Sequence, residues 1–196
     1  FWSYKAVDID SEGHWIIMGA DGNPKPIKQQ SADDRCVSGN GLPKHYASWN
    51  NTFKYKNLDL EINMRGAFKF QILSEARMFY EIPVNLNRGN ILSSAYHNVF
   101  GKRPLYDLED YQYLDYYIED GDFWKIDNIT LGYNFDLKDC FIKKLRIYAS
   151  GLNLATFTGY SGIDPEVNVL GLTPGIDYKT TYPSVRTITF GANITF

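Results

Sequence analysis

A period of two runs through this chain in blocks of about ten residues, and it limits the fold more than any other feature. From Ser184 to Phe196 one face reads Arg186, Ile188, Phe190, Ala192, Ile194, Phe196. The other reads Val185, Thr187, Thr189, Gly191, Asn193, Thr195. Successive side chains of a strand point to opposite sides, so this stretch makes a strand with one greasy and one polar face. The same pattern predicts strands over about 46–56, 58–70, 123–135 and 144–155, with 184–196 as the last. Leu58, Leu60, Ile62, Met64 and Phe68 alternate with Asp59, Glu61, Asn63, Arg65 and Lys69.

The connections alternate in length. Lys56-Asn57 reads as a hairpin turn and 136–143 is short, whereas 71–122 and 156–183 are long. Outer-membrane barrels have short turns on one side and long loops on the other. Five strands cannot close a membrane barrel, whose smallest members have about eight. An open edge in lipid would leave backbone groups unpaired. The expected fold is therefore all-β, a transmembrane antiparallel barrel to which this chain contributes some strands. Residues 1–45 read as an outer loop and hairpin region, with a turn at Asp21-Gly22-Asn23. A short helix is expected near Ile72 to Glu81, from rough helical spacing.

Composition enters where it separates classes. Aromatic residues make up 16%, which suits strands and also a membrane interface. The formal net charge of −3 gives no basic excess for nucleic acid. A mean hydropathy of −0.35 is compatible with a barrel, whose strands meet lipid only at every second residue. No run of about 18 apolar residues is present to make a membrane helix. Phe1-Trp2-Ser3-Tyr4 has no leader features, which leaves the compartment open.

Few residues suggest chemistry. Asp8, Asp10 and Glu12 mimic the start of a Ca²⁺ loop, but Gly19 stands where the bidentate acid of an EF-hand belongs. A solvated acidic loop is the favoured reading. Glu119-Asp120-Gly121-Asp122 could supply an acid/base pair, yet no positioned partner is evident. His14, His45 and His97 share no motif, and no nucleophile elbow occurs. Cys36 and Cys140 have no metal-ligand spacing around them. The sequons at Asn50, Asn128 and Asn193 fall in expected strands and read as polar strand-face residues. No enzyme and no cofactor is expected.

Six ordered stretches carry a family resemblance. They are Tyr46-Ala-Ser-Trp-Asn-Asn-Thr-Phe53, Asp59-Leu-Glu-Ile-Asn-Met-Arg-Gly-Ala-Phe68 and Tyr117-Ile-Glu-Asp-Gly-Asp-Phe-Trp-Lys-Ile-Asp-Asn-Ile-Thr-Leu-Gly-Tyr133. Lys144-Leu-Arg-Ile-Tyr-Ala-Ser-Gly-Leu-Asn-Leu154, Gly159-Tyr-Ser-Gly-Ile-Asp-Pro-Glu166 and Arg186-Thr-Ile-Thr-Phe-Gly-Ala-Asn-Ile-Thr-Phe196 follow. Over about 42–196 the chain resembles the C-terminal barrel strands of SusC/RagA-type TonB-linked outer-membrane proteins. The resemblance implies a Gram-negative outer-membrane barrel of about 22 strands that imports oligosaccharides or, in some members, peptides. It implies a SusD-like surface lipoprotein as partner, and TonB engaged through an N-terminal part that this sequence lacks.

It also implies that 1–45, 71–122 and 156–183 are extracellular and that 136–143 is periplasmic. Cys36 and Cys140 would then lie on opposite sides of an apolar band about 25 Å tall, too far apart for a disulfide. Phe79, Tyr80, Tyr96, Tyr106, Tyr111, Tyr113, Tyr116 and Tyr117 crowd the long loop 71–122. They either pack among the loops or contact a glycan or, preferentially, the lipoprotein. Tyr96, Tyr106, Tyr111, Tyr113 and Tyr116 are the contact candidates. The competing class is a soluble β-sandwich that binds glycans. In it the greasy faces would turn to a core and the opposite faces would be charged, whereas here those faces also carry Asn, Ser, Thr and Gly.

Overall fold

The computed structural model describes residues 1–106, 112–137, 141–167, 173–180 and 182–196. In chain order its strands are β1 (Trp2–Tyr4), β2 (Ala6–Ile9), β3 (Trp15–Met18), β4 (Pro24–Pro26), β5 (Arg35–Val37), β6 (His45–Tyr55) and β7 (Leu58–Phe68). There follow β8 (Gln71–Ser74), β9 (Ile118–Asp120), β10 (Phe123–Asp136), β11 (Lys144–Thr158), β12 (Ile176–Asp177) and β13 (Thr187–Thr195). Among the described residues the only α-helix is α1 (Glu75–Tyr80). No helix there is long and apolar enough to cross a membrane.

The long strands form one compact unit of residues 44–69, 122–159 and 182–196. Their sheet is antiparallel in the order β13-β11-β10-β7-β6 and is open. Register aligns the greasy positions into rows across it. Phe53, Leu60, Leu131, Ala149 and Phe190 share one row, and Tyr55, Leu58, Tyr133, Ile147 and Ala192 the next. Tyr55 pairs with Leu58 and Asp136 with Lys144, so both short connections lie at one end of the sheet. At the other end, His45 pairs with Phe68 and Phe123 with both Ala67 and Thr158. All three long segments leave or rejoin the strands at that end.

Two details depart from simple alternation. Alternation in the sequence continues to Phe70, but β7 stops at Phe68. Lys69 takes a φ of 59° and donates its N–H to the Asp122 carboxylate at 2.6 Å, which ends the ladder. The ladders of β10 with β7 and β11 also slip between Ile126 and Asn128. On β11 the extra residue falls at Asn153, whose φ of 51° is one that Asn tolerates better than most residues.

The other compact unit consists of residues 1–43, 70–121 and 160–181. The sequence reading treats these stretches as loops, yet they share a core of their own. It contains Tyr4, Ile9, Trp15, Ile17, Ile27, Leu73, Met78, Ile82, Val99, Leu105, Leu114 and Tyr117. β2, β3 and β4 form a meander, β5 pairs with β1, and β8 lies between β9 and β12. Gly22, with a φ of 80°, lies in the β3–β4 turn that Asp21-Gly22-Asn23 marks in the sequence. The helix expected from Ile72 begins only at Glu75. Ile72 and Leu73 are buried in β8, and the Ser74 hydroxyl accepts the Arg77 N–H at 3.3 Å as an N-cap.

Arg77 of α1 ties this lobe together. Its Nε donates to Glu81 and its Nη1 to Glu119, each at 2.9 Å. Glu81 also accepts the Ser94 hydroxyl at 2.8 Å, and Glu119 accepts both the N–H and the hydroxyl of Ser161. The guanidinium lies 5.3 Å from the Tyr116 ring centroid, and Tyr116 packs 4.9 Å from Trp15. Burial works against the Arg77 charge, but the two carboxylates outweigh it and hold the guanidinium proton more tightly than usual.

Candidate functional site

Two surfaces have functional geometry, one in each unit. On the long-stranded sheet, the rows of greasy side chains are uncovered. Phe190 is 80% exposed, Ile188 64%, Phe53 54% and Leu131 46%. The opposite face is polar and internally bonded. Arg146 donates to Asp59 through Nη2 at 2.5 Å and Nε at 3.2 Å, and Asn134 Nδ2 donates to the same carboxylate at 2.7 Å. Gly132 lies beneath this pair, where an added Cβ would come 2.5 Å from the Arg146 guanidinium. Ser150 donates to Asn128 at 2.9 Å and contacts Thr130 at 2.9 Å, while Arg65 pairs with Asp127 at 3.2 Å. In a soluble domain the apolar face would be the covered one and the polar face would be in water.

The second surface is an open cleft of about 440 Å³ in the lobe. Phe79, Tyr80, Asn85, Arg88, Gly89, Asn90, Ile91 and Leu92 line it. The 3₁₀ turn Pro83–Asn87 follows α1, and the Leu92 N–H donates to the Tyr80 carbonyl at 3.0 Å, which folds the 83–92 segment back on the helix. Asn85 is 2% exposed. Its Nδ2 donates to the Phe79 carbonyl, and its Oδ1 has no hydrogen-bond partner among the described residues.

The residues singled out in the sequence are scattered. Asp8 pairs with Lys102 at 2.5 Å, and that ammonium lowers the Asp8 carboxyl below the usual carboxylate range. Asp10 Oδ1 accepts the N–H groups of Glu12, Gly13 and His14 at 2.8–2.9 Å, closing an Asx-type turn. Glu12 faces His14 at 3.7 Å. The three carboxylates thus engage protein groups rather than converging on one point. Among the described residues no group of three or more His, Cys, Asp or Glu could hold a metal ion.

Tyr96, Tyr106 and Tyr113 are exposed, each in a different setting. Tyr96 ends the 3₁₀ turn Ser93–Tyr96, Tyr106 lies 5.1 Å from His14, and Tyr113 donates to Glu75 at 3.0 Å. Tyr116 is half-buried among Trp15, Phe100, Tyr117 and Arg77, so it packs in the lobe rather than on its rim. Tyr111 and Cys140 lie outside the described residues, and Cys36 is an exposed free thiol. Glu119, first of the acidic run, is engaged by Arg77 and Ser161. Sequence reasoning missed Asn85, Arg88 and Asn90. They sit in an Asn- and Gly-rich stretch that reads only as turns, and no spacing signal sets them apart.

Comparison with known proteins places these features in context. No family model matches the chain. It is 30% identical to "TonB-dependent receptor P3" of Formosa agariphila over 96% of its own length and 19% of that protein. It is also 30% identical to "TonB-dependent receptor SusC" of Bacteroides thetaiotaomicron, over 73% of the chain and 14% of that protein. The chain therefore spans less than a fifth of the length of these relatives. Among solved structures it superposes on "Structure of the RagAB peptide transporter" with a TM-score of 0.75 at 20% identity, covering 100% of the chain and 23% of that one. The same fold is met in the "open-open" RagAB importer at a TM-score of 0.76.

Proposed function

This chain belongs to the SusC/RagA-type TonB-dependent receptors, as a part of one, and from that membership we propose that it supplies C-terminal strands of an outer-membrane importer for bulky nutrients. The observation that carries the reading is the uncovered apolar face, with Phe190 at 80% and Ile188 at 64% exposure, backed by a bonded polar face. Lipid on the first and a water-filled lumen on the second would satisfy both. The sheet ends in β6 and β13, each with one strand partner among the described residues. In lipid such edges must be paired, so further strands of the same receptor complete a barrel of about 22 strands.

With the two short connections at the periplasmic end, the segments that build the lobe belong outside the cell. There they would face substrate and a SusD-like lipoprotein. The solved neighbours are titled peptide transporters and the family resemblance adds oligosaccharides, so these are the two cargo classes in view. Energy would come through TonB, and the chain works as a carrier rather than an enzyme. A soluble glycan-binding sandwich is disfavoured, because it would need a second layer over Phe53, Leu131 and Phe190, all exposed.

The test is a gel. Outer membranes of the source organism are probed with an antibody to the last strand, with and without boiling. The expected result is a band far above 22.5 kDa that shifts on heating. A soluble band near 22.5 kDa, absent from membranes, would overturn the proposal.

A further inference from the structure

We propose that the cleft between α1 and the 83–92 segment binds a carboxylate-bearing sugar residue, so that acidic oligosaccharides are the cargo class it selects. This rests on the importer reading and names a substrate class for it. The volume of about 440 Å³ falls within the range of small-ligand sites, about 300–1,000 Å³. Its lining contains one charged side chain, Arg88, and no carboxylate. Arg88 is exposed and makes no ion pair or side-chain hydrogen bond with the described residues. Lys179 Nζ lies 4.2 Å from the Phe79 ring centroid and adds a second positive charge beside the cleft. A guanidinium so placed matches a carboxylate with two parallel hydrogen bonds.

A carboxylate alone does not suit the rest of the lining. Asn85 is buried in the cleft wall, with its Oδ1 lacking a hydrogen-bond donor among the described residues, so the wall is polar there. Asn90 adds an exposed amide and Tyr80 a half-buried phenol and ring, which provide further hydrogen bonds and an apolar platform. Hydroxyl groups, a carboxylate and a flat apolar face occur together in a uronic acid unit. An acidic peptide offers the carboxylate and fewer hydroxyl donors.

The intact receptor in detergent would be titrated with hexagalacturonate, maltohexaose and an acidic hexapeptide, as wild type and as Arg88→Gln and Tyr80→Ala. Wild type is expected to bind hexagalacturonate about tenfold or more tightly than either other probe. Arg88→Gln should lose about tenfold for hexagalacturonate and leave maltohexaose unchanged. Tyr80→Ala should weaken both saccharides. Equal affinity for the two saccharides, preference for the peptide, or an unaffected Arg88→Gln variant would each overturn the inference. A receptor that migrates as a heat-modifiable barrel yet ignores hexagalacturonate overturns this inference alone. One absent from the outer membrane overturns the importer reading itself.

Discussion

Replacing Ile129 by Arg should destabilise the folded barrel by about 2–4 kcal/mol, while Thr189→Arg should cost no more than about 0.5 kcal/mol. Ile129 sits midway along β10, in a row with Ile62 and Ile188, far from either end of the sheet. A guanidinium there would face hydrocarbon with no partner and no short route to water. Thr189 lies across from Ser150 on the polar face, where a charge stays in water. The folded fraction of the intact receptor, read as the heat-modifiable band across a urea series, measures both. Equal costs at the two positions would mean that lipid does not cover the greasy face.

The second large effect belongs to the lobe. Arg77→Ala should cost it about 3–5 kcal/mol, because Glu81 would be left buried without its cation. The damage should spread, since Arg77 links α1 to Glu119 and, through the carboxylates, to Ser94 and Ser161. Limited proteolysis of the intact receptor should then cut within 70–121 and 160–181, with the strands unaffected. A variant cleaved no faster than wild type would show that the network contributes little. Arg77→Lys separates charge from geometry. It keeps the cation but cannot reach two carboxylates through one planar group, so it should recover only part of the loss.

How far the sequence reveals this molecule depends on the length of the element. The long strands are legible because one face of each must be greasy along its whole length, as in Leu58–Met64 and Ile188–Ile194. Their ends are less so. Lys69 turns the chain through its backbone angle while Phe70 keeps the rhythm, and the slip near Asn153 leaves no mark in the pattern. The lobe is hidden for a different reason. Its strands have two to four residues, and Ile9, Trp15 and Ile17 are buried by partners far along the chain. No local period records such contacts.

Among candidate site residues the same contrast holds. Asp8, Asp10 and Glu12 resemble a cation loop because closing a tight turn also calls for acidic side chains in close sequence, here with Asp10 capping three N–H groups. Tyr116 looks like its exposed neighbours in sequence, but Arg77 and Trp15 draw it inward. Asn85, Arg88 and Asn90 share a cleft only because the 83–92 segment folds against α1.

A barrel strand puts the greasy face of β10 against lipid, whereas a sandwich strand buries it in a core. Nitroxide labels placed singly at Ile129, Thr130, Leu131, Tyr133 and Asn134 of the membrane-embedded receptor would separate the two directly. The labels at Ile129, Leu131 and Tyr133 are expected to respond to oxygen dissolved in the bilayer. Those at Thr130 and Asn134 should respond instead to a water-soluble relaxation agent. Shielding of Ile129, Leu131 and Tyr133 from both agents, as in the core of a sandwich, would rule out a lipid-facing β10.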